Sequence, residues 1–272
     1  MFGKLMKYEL RGCMRVFLPL WGATLALALI NGLTNGFQPS ISAPLLRFFL
    51  QVLPALLLFG LSFGMFVMAF VLIIRRFFSG LLGDGGYLAF SLPATYAQHI
   101  ASKLLTALIM LAGCLITGLL ATVLIIMIRG YGDSVNHFIT EAWNILSSYP
   151  KLGLIIFEAI TAALLSASYT VLRLYSGMAV GHLFGSHRAL WSLGSVIGIG
   201  WILNLIFIKA GQLFFTHLEK TSSQIQISIN TFQEALDFLP GFFGIMIAFF
   251  LVGNVILWLA TWLILRKKLN IL

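Results

Sequence analysis

Hydrophobic residues are clustered along this chain in six long runs, separated by more polar segments. Each run holds about 20 residues, which as an α-helix is long enough to cross the ~30 Å hydrocarbon core of a bilayer. The runs cover residues 17–37, 51–74, 104–128, 152–174, 190–208 and 241–265. They do not alternate in polarity as the strands of a membrane barrel do. They therefore predict an all-α integral membrane fold, with six transmembrane helices in a single domain over residues 1–272.

The composition excludes a soluble protein, because charged residues make up only 9% of the chain and hydrophobic residues 60%, whereas a soluble domain carries about 25% charged residues. The net charge of +9 does not predict nucleic-acid binding. The basic residues flank the apolar runs, where they contact lipid headgroups. The two cysteines, Cys13 and Cys114, lie in segments of different character and are predicted to be free.

The distribution of basic residues predicts the orientation in the membrane. With the N-terminus in the cytoplasm, 12 of the 17 Lys and Arg residues fall on the cytoplasmic side. This asymmetry follows the positive-inside rule. Both termini are predicted to be cytoplasmic, as an even number of spans requires.

An amphipathic helix is predicted over residues 1–16, before the first span. Seven apolar residues share one face at helical spacing, and four basic residues share the opposite face: Phe2, Leu5, Met6, Leu10, Cys13, Met14 and Phe17, against Lys4, Lys7, Arg11 and Arg15. This pattern is typical of a helix that lies on the inner leaflet. Glu9 lies at the edge of the apolar face, where it is expected to pair with a neighbouring base or to meet a partner protein.

The segment 75–103 between the second and third spans combines two arginines, aromatic residues and a glycine-rich turn at 83–86. Thr95 and Gln98 form a capping box, which predicts a helix that starts near Tyr96. Apolar side chains at 77–82 are expected to be exposed on the cytoplasmic side, and exposed apolar patches often mark binding surfaces. Two interpretations remain open: a loop folded against the inner leaflet, or a short helix that docks into a partner protein.

This segment resembles the region after the second span in bacterial ABC exporter permeases of the type-2 class. The matching positions are Arg76, Phe77, Phe78, Gly83, Asp84, Gly86, Tyr87, Leu88, Ser91, Leu92, Pro93 and Lys103. Lys7, Tyr8 and Glu9 also resemble a common opening of these proteins. One departure is Gly85, which stands where an acidic residue is expected.

The resemblance implies a permease in a bacterial cell membrane that forms a substrate pathway with a second, identical or homologous copy and works with a separate ABC ATPase subunit. The residues that it assigns to ATPase coupling are Glu9, Arg76, Phe77, Phe78, Leu81, Leu82, Asp84 and Tyr87. No phosphate-binding glycine loop of the P-loop type occurs in the chain. The chain is therefore expected to be no enzyme and to hold no cofactor, with ATP hydrolysed by the partner.

The fourth span contains an acidic residue, Glu158, and an acid inside a membrane tends to face protein or water. Thr161, Ser168 and Tyr169 fall near the same side of the helix and with Glu158 form a candidate wall of a substrate pathway. Alternatively, Glu158 lies close enough to the outer interface to reach the headgroups.

Three further patterns complete the sequence interpretation. Between 210 and 240 a short outer helix is predicted from about residue 231, broken from the last span at Pro240 and Gly241. Glycine pairs at 60 and 64 and at 194 and 198 predict close helix packing. His182 and His187 lack further ligands, so no metal site is predicted.

Two functions remain as alternatives to an exporter permease. One is a non-transporting scaffold or immunity protein, and the other is an intramembrane enzyme.

Overall fold

The computed structural model describes residues 2–36, 45, 48–82, 94–184, 188–222 and 232–267. These residues contain no β-strand. They form α-helices α1 (Phe2–Gly36), α2 (Leu53–Phe77), α3 (Tyr96–Ile128), α4 (Gly132–Ser148), α5 (Pro150–Gly181), α6 (Arg188–Ser222) and α7 (Phe232–Lys267). Single π-helical turns, Phe48–Val52 and Phe78–Leu82, flank α2. The helix start predicted by the capping box is confirmed, because α3 begins at Tyr96.

Within the part of the chain that the structure describes, six helical segments are long and apolar enough to cross a membrane, as expected of a multi-pass membrane protein. They are Phe2–Thr34, Phe48–Leu82, Tyr96–Ile128, Pro150–Gly181, Leu190–Lys209 and Phe238–Arg266. The predicted number of apolar helices is therefore confirmed. The helices are longer than the apolar runs because helical hydrogen bonding continues through the polar residues at their ends.

Two breaks predicted from the sequence are absent. α1 runs without interruption from Phe2 through Pro19 to Gly36, so the segment 1–16 and the first span are one helix. Likewise α7 continues through Pro240, and α6 extends to Ser222 into the predicted outer segment. A proline removes only one backbone hydrogen bond, and membrane helices tolerate that loss when neighbouring groups compensate for it. Residues 223–231, which include part of the predicted outer segment, lie outside the described residues.

The chain divides into two compact units, the first formed by Met1–Arg76 and Gln98–Ser148. Its core consists of small and sulfur-containing side chains with one aromatic ring: Cys13, Phe17, Met65, Ala69, Met110 and Cys114. The apolar face predicted for the N-terminal segment thus continues into a protein core between α1, α2 and α3. Both cysteines are free, as predicted. At the far end of α1, Arg129 donates a hydrogen bond to the side-chain oxygen of the buried Asn31 at 3.3 Å.

The second unit comprises Phe77–Ala97 and Tyr149–Leu272, and in it α6 and α7 both pack against α5. α5 and α6 approach closely at Gly177 and Gly181, where a side chain would collide with the backbone of Val196 and Ser192. The glycine pairs predicted to pack, at 60 and 64 and at 194 and 198, have open space beside them. The predicted close packing is therefore absent among the described helices of this chain, because spacing alone does not say which face of a helix meets its neighbour.

α4 was not predicted from the sequence. Its apolar residues recur at helical spacing, and the helix contains no buried residue. Phe138, Ile139 and Trp143 are all exposed on its apolar face. A helix with this pattern that joins two membrane-length helices suits the interface between lipid and water.

Candidate functional site

The first unit contains a cluster of three charged side chains from three helices. The guanidinium of Arg76, in the last turn of α2, donates from Nη1 to Glu9 Oε2 at 2.8 Å and to the Glu9 backbone carbonyl at 2.6 Å. Lys103 of α3 donates from Nζ to Glu9 Oε1 at 2.7 Å and to the Arg76 carbonyl at 3.1 Å. We call Glu9, Arg76 and Lys103 the charge clamp, because they connect α1, α2 and α3.

The charge clamp is largely withdrawn from solvent. The Lys103 side chain is only 8% exposed and that of Glu9 20%. A buried ammonium group is costly unless an anion and further acceptors compensate it, and here one carboxylate and one backbone carbonyl do so. Gly12, one turn after Glu9, makes room for the clamp, since a side chain there would collide with the Arg76 guanidinium.

Of the residues assigned to coupling, the structure brings Glu9 and Arg76 together and adds Lys103. The sequence interpretation left open whether Glu9 pairs with a base or meets a partner protein, and the structure shows two bases. The partners lie 67 and 94 residues away. All three residues are among those on which the family resemblance depends.

Three of the apolar residues that follow Arg76 are buried, which corrects the expectation that they are exposed. Phe77 and Leu81 are fully buried and Leu82 is 5% exposed. The Phe77 ring stacks on Tyr175 of α5, with ring centroids 4.0 Å apart and planes inclined by 9°. Because Tyr175 is itself buried, these side chains belong to the core of the second unit, and a partner protein has no direct access to them.

Part of the same segment remains accessible. Phe78 is half-buried and lies edge-on to His182, with ring centroids 6.3 Å apart, and Ser79 is exposed. Asp84 and Tyr87, the other two residues assigned to coupling, lie outside the described residues.

The proposed pathway residues on α5 are separated in the structure. Tyr169 lines a groove of about 590 Å³ in the second unit, whereas Glu158, Thr161 and Ser168 do not. The hydroxyl groups of Thr161 and Ser168 each donate at 2.8 Å to a backbone carbonyl of their own helix. Serine and threonine hydroxyl groups inside helices commonly form this hydrogen bond to a backbone carbonyl of the preceding turn. Glu158 is half-buried, and its Oε2 has no hydrogen-bond partner among the described residues.

The groove lies between α6 and α7, with α5 as its floor. Its polar lining consists of Tyr169 and Arg173 of α5 and Asn204 of α6, and aromatic side chains supply much of the rest. The sequence interpretation missed Arg173 as a site residue, because it was counted among the cytoplasmic flanking cations. Its position inside the apolar run 152–174 was the available signal.

A scan against protein-family models found no match to this chain, and searches of curated proteins and of solved structures also found no significant similarity.

Proposed function

We propose that this protein is the transmembrane subunit of an ABC exporter, located in a bacterial cell membrane with both termini in the cytoplasm. It forms the substrate pathway with a second copy or a homologue. A separate ATPase subunit hydrolyses ATP, and the permease performs no bond chemistry.

The observation that carries the proposal is the charge clamp. The resemblance to type-2 exporter permeases depends on an acidic opening, an arginine after the second span and a lysine at the third. In the structure these positions meet in one set of hydrogen bonds between 2.6 and 3.1 Å. Three helices joined at one point would move together when a partner displaces any one of them.

The burial of Phe77, Leu81 and Leu82 changes the role proposed for the segment after Arg76. These side chains anchor it inside the protein, by a ring stack with Tyr175. The surface that meets the ATPase is then assigned to Ser79, Phe78 and the residues beyond the π-helical turn, including Asp84 and Tyr87. A push on this surface is transmitted to α5 through the buried Phe77.

The rival functions make different demands. An intramembrane enzyme needs several polar groups that converge on one reacting atom. Among the described residues, the hydroxyl groups of Thr161 and Ser168, on the same helix as Glu158, are already bonded to backbone carbonyls of that helix. A scaffold or immunity protein needs no ATPase partner, so the presence of that partner separates it from an exporter.

The test is cross-linking of the tagged chain in native membranes. A cysteine at the exposed Ser79, in a background with Cys13 and Cys114 replaced by alanine, is expected to cross-link to an ATPase subunit. Cysteine at the exposed Asn136 of α4 is the control and is expected to give no such product. Vanadate, which traps ABC ATPases after hydrolysis, is expected to change the yield at Ser79. An absence of any ATPase from both the cross-linked and the copurified material would contradict the exporter proposal.

A further inference from the structure

Arg173 is a permanent cation without a counter-ion among the described residues. It lies within the membrane-length segment Pro150–Gly181, eight residues before its end, or about 12 Å along the helix. Its Nε atom is buried and has no hydrogen-bond partner, and the ion pairs of the described residues do not include it. A guanidinium group does not lose its proton in a protein, so the charge requires compensation from outside this set.

The guanidinium group of Arg173 lies against α6, within the groove. Gly200 of α6 faces the guanidinium group, and a side chain there would come within 3.0 Å of Nη1. Asn204, one helical turn further along α6, lines the same groove, as does Tyr169, one turn before Arg173 on α5. An amide, a phenol and a guanidinium group therefore supply several hydrogen-bond donors to one groove. Such a set of donors suits an acid group.

The remainder of the groove is apolar and aromatic. Phe249 and Phe250 of α7 both lie against the Tyr169 ring, with centroids 6.2 and 5.6 Å away. Phe207 of α6 meets Phe249 at 4.5 Å. These side chains give the groove an apolar surface against which a hydrocarbon chain would make no unfavourable polar contacts.

We propose that this groove binds an anionic amphiphile, with its carboxylate or phosphate head on Arg173 and its apolar chain against Phe207, Phe249 and Phe250. The volume of about 590 Å³ falls within the 300–1,000 Å³ usual for ligand pockets. The proposal adds a substrate class to the proposed exporter function. It rests on that function only in treating the bound amphiphile as a substrate, because binding itself needs no ATPase.

The experiment uses the full chain alone, in nanodiscs of zwitterionic phospholipid, with the fluorescent fatty acid cis-parinaric acid as probe. Energy transfer from tryptophan reports binding, and the part of the signal lost in Trp201→Phe identifies the groove, because Trp201 lines it. The methyl ester of the probe, which has the same chain without the charge, is the matched control. The acid is expected to bind roughly ten- to a hundredfold more tightly than the ester, as for a charge-assisted hydrogen bond.

Arg173→Gln is expected to remove the preference for the acid and leave the affinity for the ester unchanged. Arg173→Lys keeps the positive charge and is expected to retain a preference. Equal affinity of the wild-type protein for acid and ester would overturn the proposal, even if the glutamine variant failed to fold. A preference that persists in a folded Arg173→Gln protein would overturn it too.

The source of the ligand is distinguished by a second set of nanodiscs, which contain phosphatidic acid. Displacement of the probe there assigns the groove to a phospholipid of the bilayer. If the probe remains bound, the groove favours a single-chain acid. If the protein prefers the acid but copurifies with no ATPase, the proposed binding site stands and the exporter proposal fails. If the protein copurifies with an ATPase but shows no preference for the acid, the exporter proposal stands and the binding site fails.

Discussion

Arg76 donates two hydrogen bonds to Glu9, which lies 67 residues earlier in the sequence. One goes to the Glu9 carboxylate at 2.8 Å and the other to the Glu9 backbone carbonyl at 2.6 Å. The second bond matters because it fixes the α1 backbone as well as a side chain. Lys103 completes the arrangement from α3. The first unit therefore combines these polar contacts with a sulfur-rich core formed by the same three helices.

Replacement of Glu9 by glutamine leaves the buried Lys103 ammonium without its counter-ion. Removing one partner of a buried ion pair costs about 3–5 kcal/mol, so a clear loss of thermal stability is expected for the detergent-solubilised protein. Glu141→Gln is the matched control, because Glu141 is exposed and pairs only with His137 at 3.7 Å. Equal unfolding temperatures for the two variants would show that the clamp contributes nothing to stability.

Gly12→Ala is expected to displace the Arg76 guanidinium, since the new methyl group occupies its position. The variant should therefore lose stability, although alanine is by itself the better helix former by about 1 kcal/mol. Gly22→Ala lies on the same helix with open space beside it and is expected to be neutral or stabilising. Thermal unfolding of the pair checks the prediction, and a stabilised Gly12→Ala protein would contradict the clamp geometry.

Phe77→Ala removes a fully buried ring from its stack on Tyr175. Truncation of a buried phenylalanine costs roughly 3 kcal/mol or more, so reduced stability and reduced membrane expression are expected. Phe63→Ala on the same helix is the control, because Phe63 is 65% exposed. Similar expression and unfolding temperatures for both variants would place Phe77 outside the core.

Gly181→Ala is expected to separate α5 from α6, because its side chain meets the backbone of Ser192 and backbone does not give way as a flexible side chain does. Gly194→Ala on α6 has open space beside it and serves as the control. Thermal unfolding of the two detergent-solubilised variants checks the prediction, and only Gly181→Ala should lose stability. Equal unfolding temperatures would show that the two helices are not held at that point.

Single cysteines at Asn136 and Ser79, both exposed, test the orientation predicted from the basic residues. An impermeant thiol reagent applied to intact cells is expected to label Asn136→Cys and not Ser79→Cys. After the membrane is opened, both should react. Labelling of Ser79→Cys alone in intact cells would show that the orientation is the opposite of the predicted one.

The membrane-length helices were predictable from the sequence because the bilayer sets the length and polarity of each span, and both are local properties. The pairing of Glu9 with Arg76 and Lys103 was not predictable, since residues 67 and 94 positions apart leave no local pattern. The predicted exposure of Phe77 was wrong for a related reason: a position near polar residues does not reveal Tyr175, about a hundred residues further on. Gly177 and Gly181 have the same four-residue spacing as Gly194 and Gly198 but were not singled out, because spacing does not show which pair meets a neighbouring helix.

α1 and α3 are joined near both ends, by Glu9 with Lys103 at one and by Asn31 with Arg129 at the other. On α1 the two joints lie about 33 Å apart at ~1.5 Å per residue, close to the thickness of the hydrocarbon core. The two contacts therefore resist sliding of α1 and α3 along each other. A displacement by a single turn, ~5.4 Å, would break both contacts at once, so the two helices tilt or translate together.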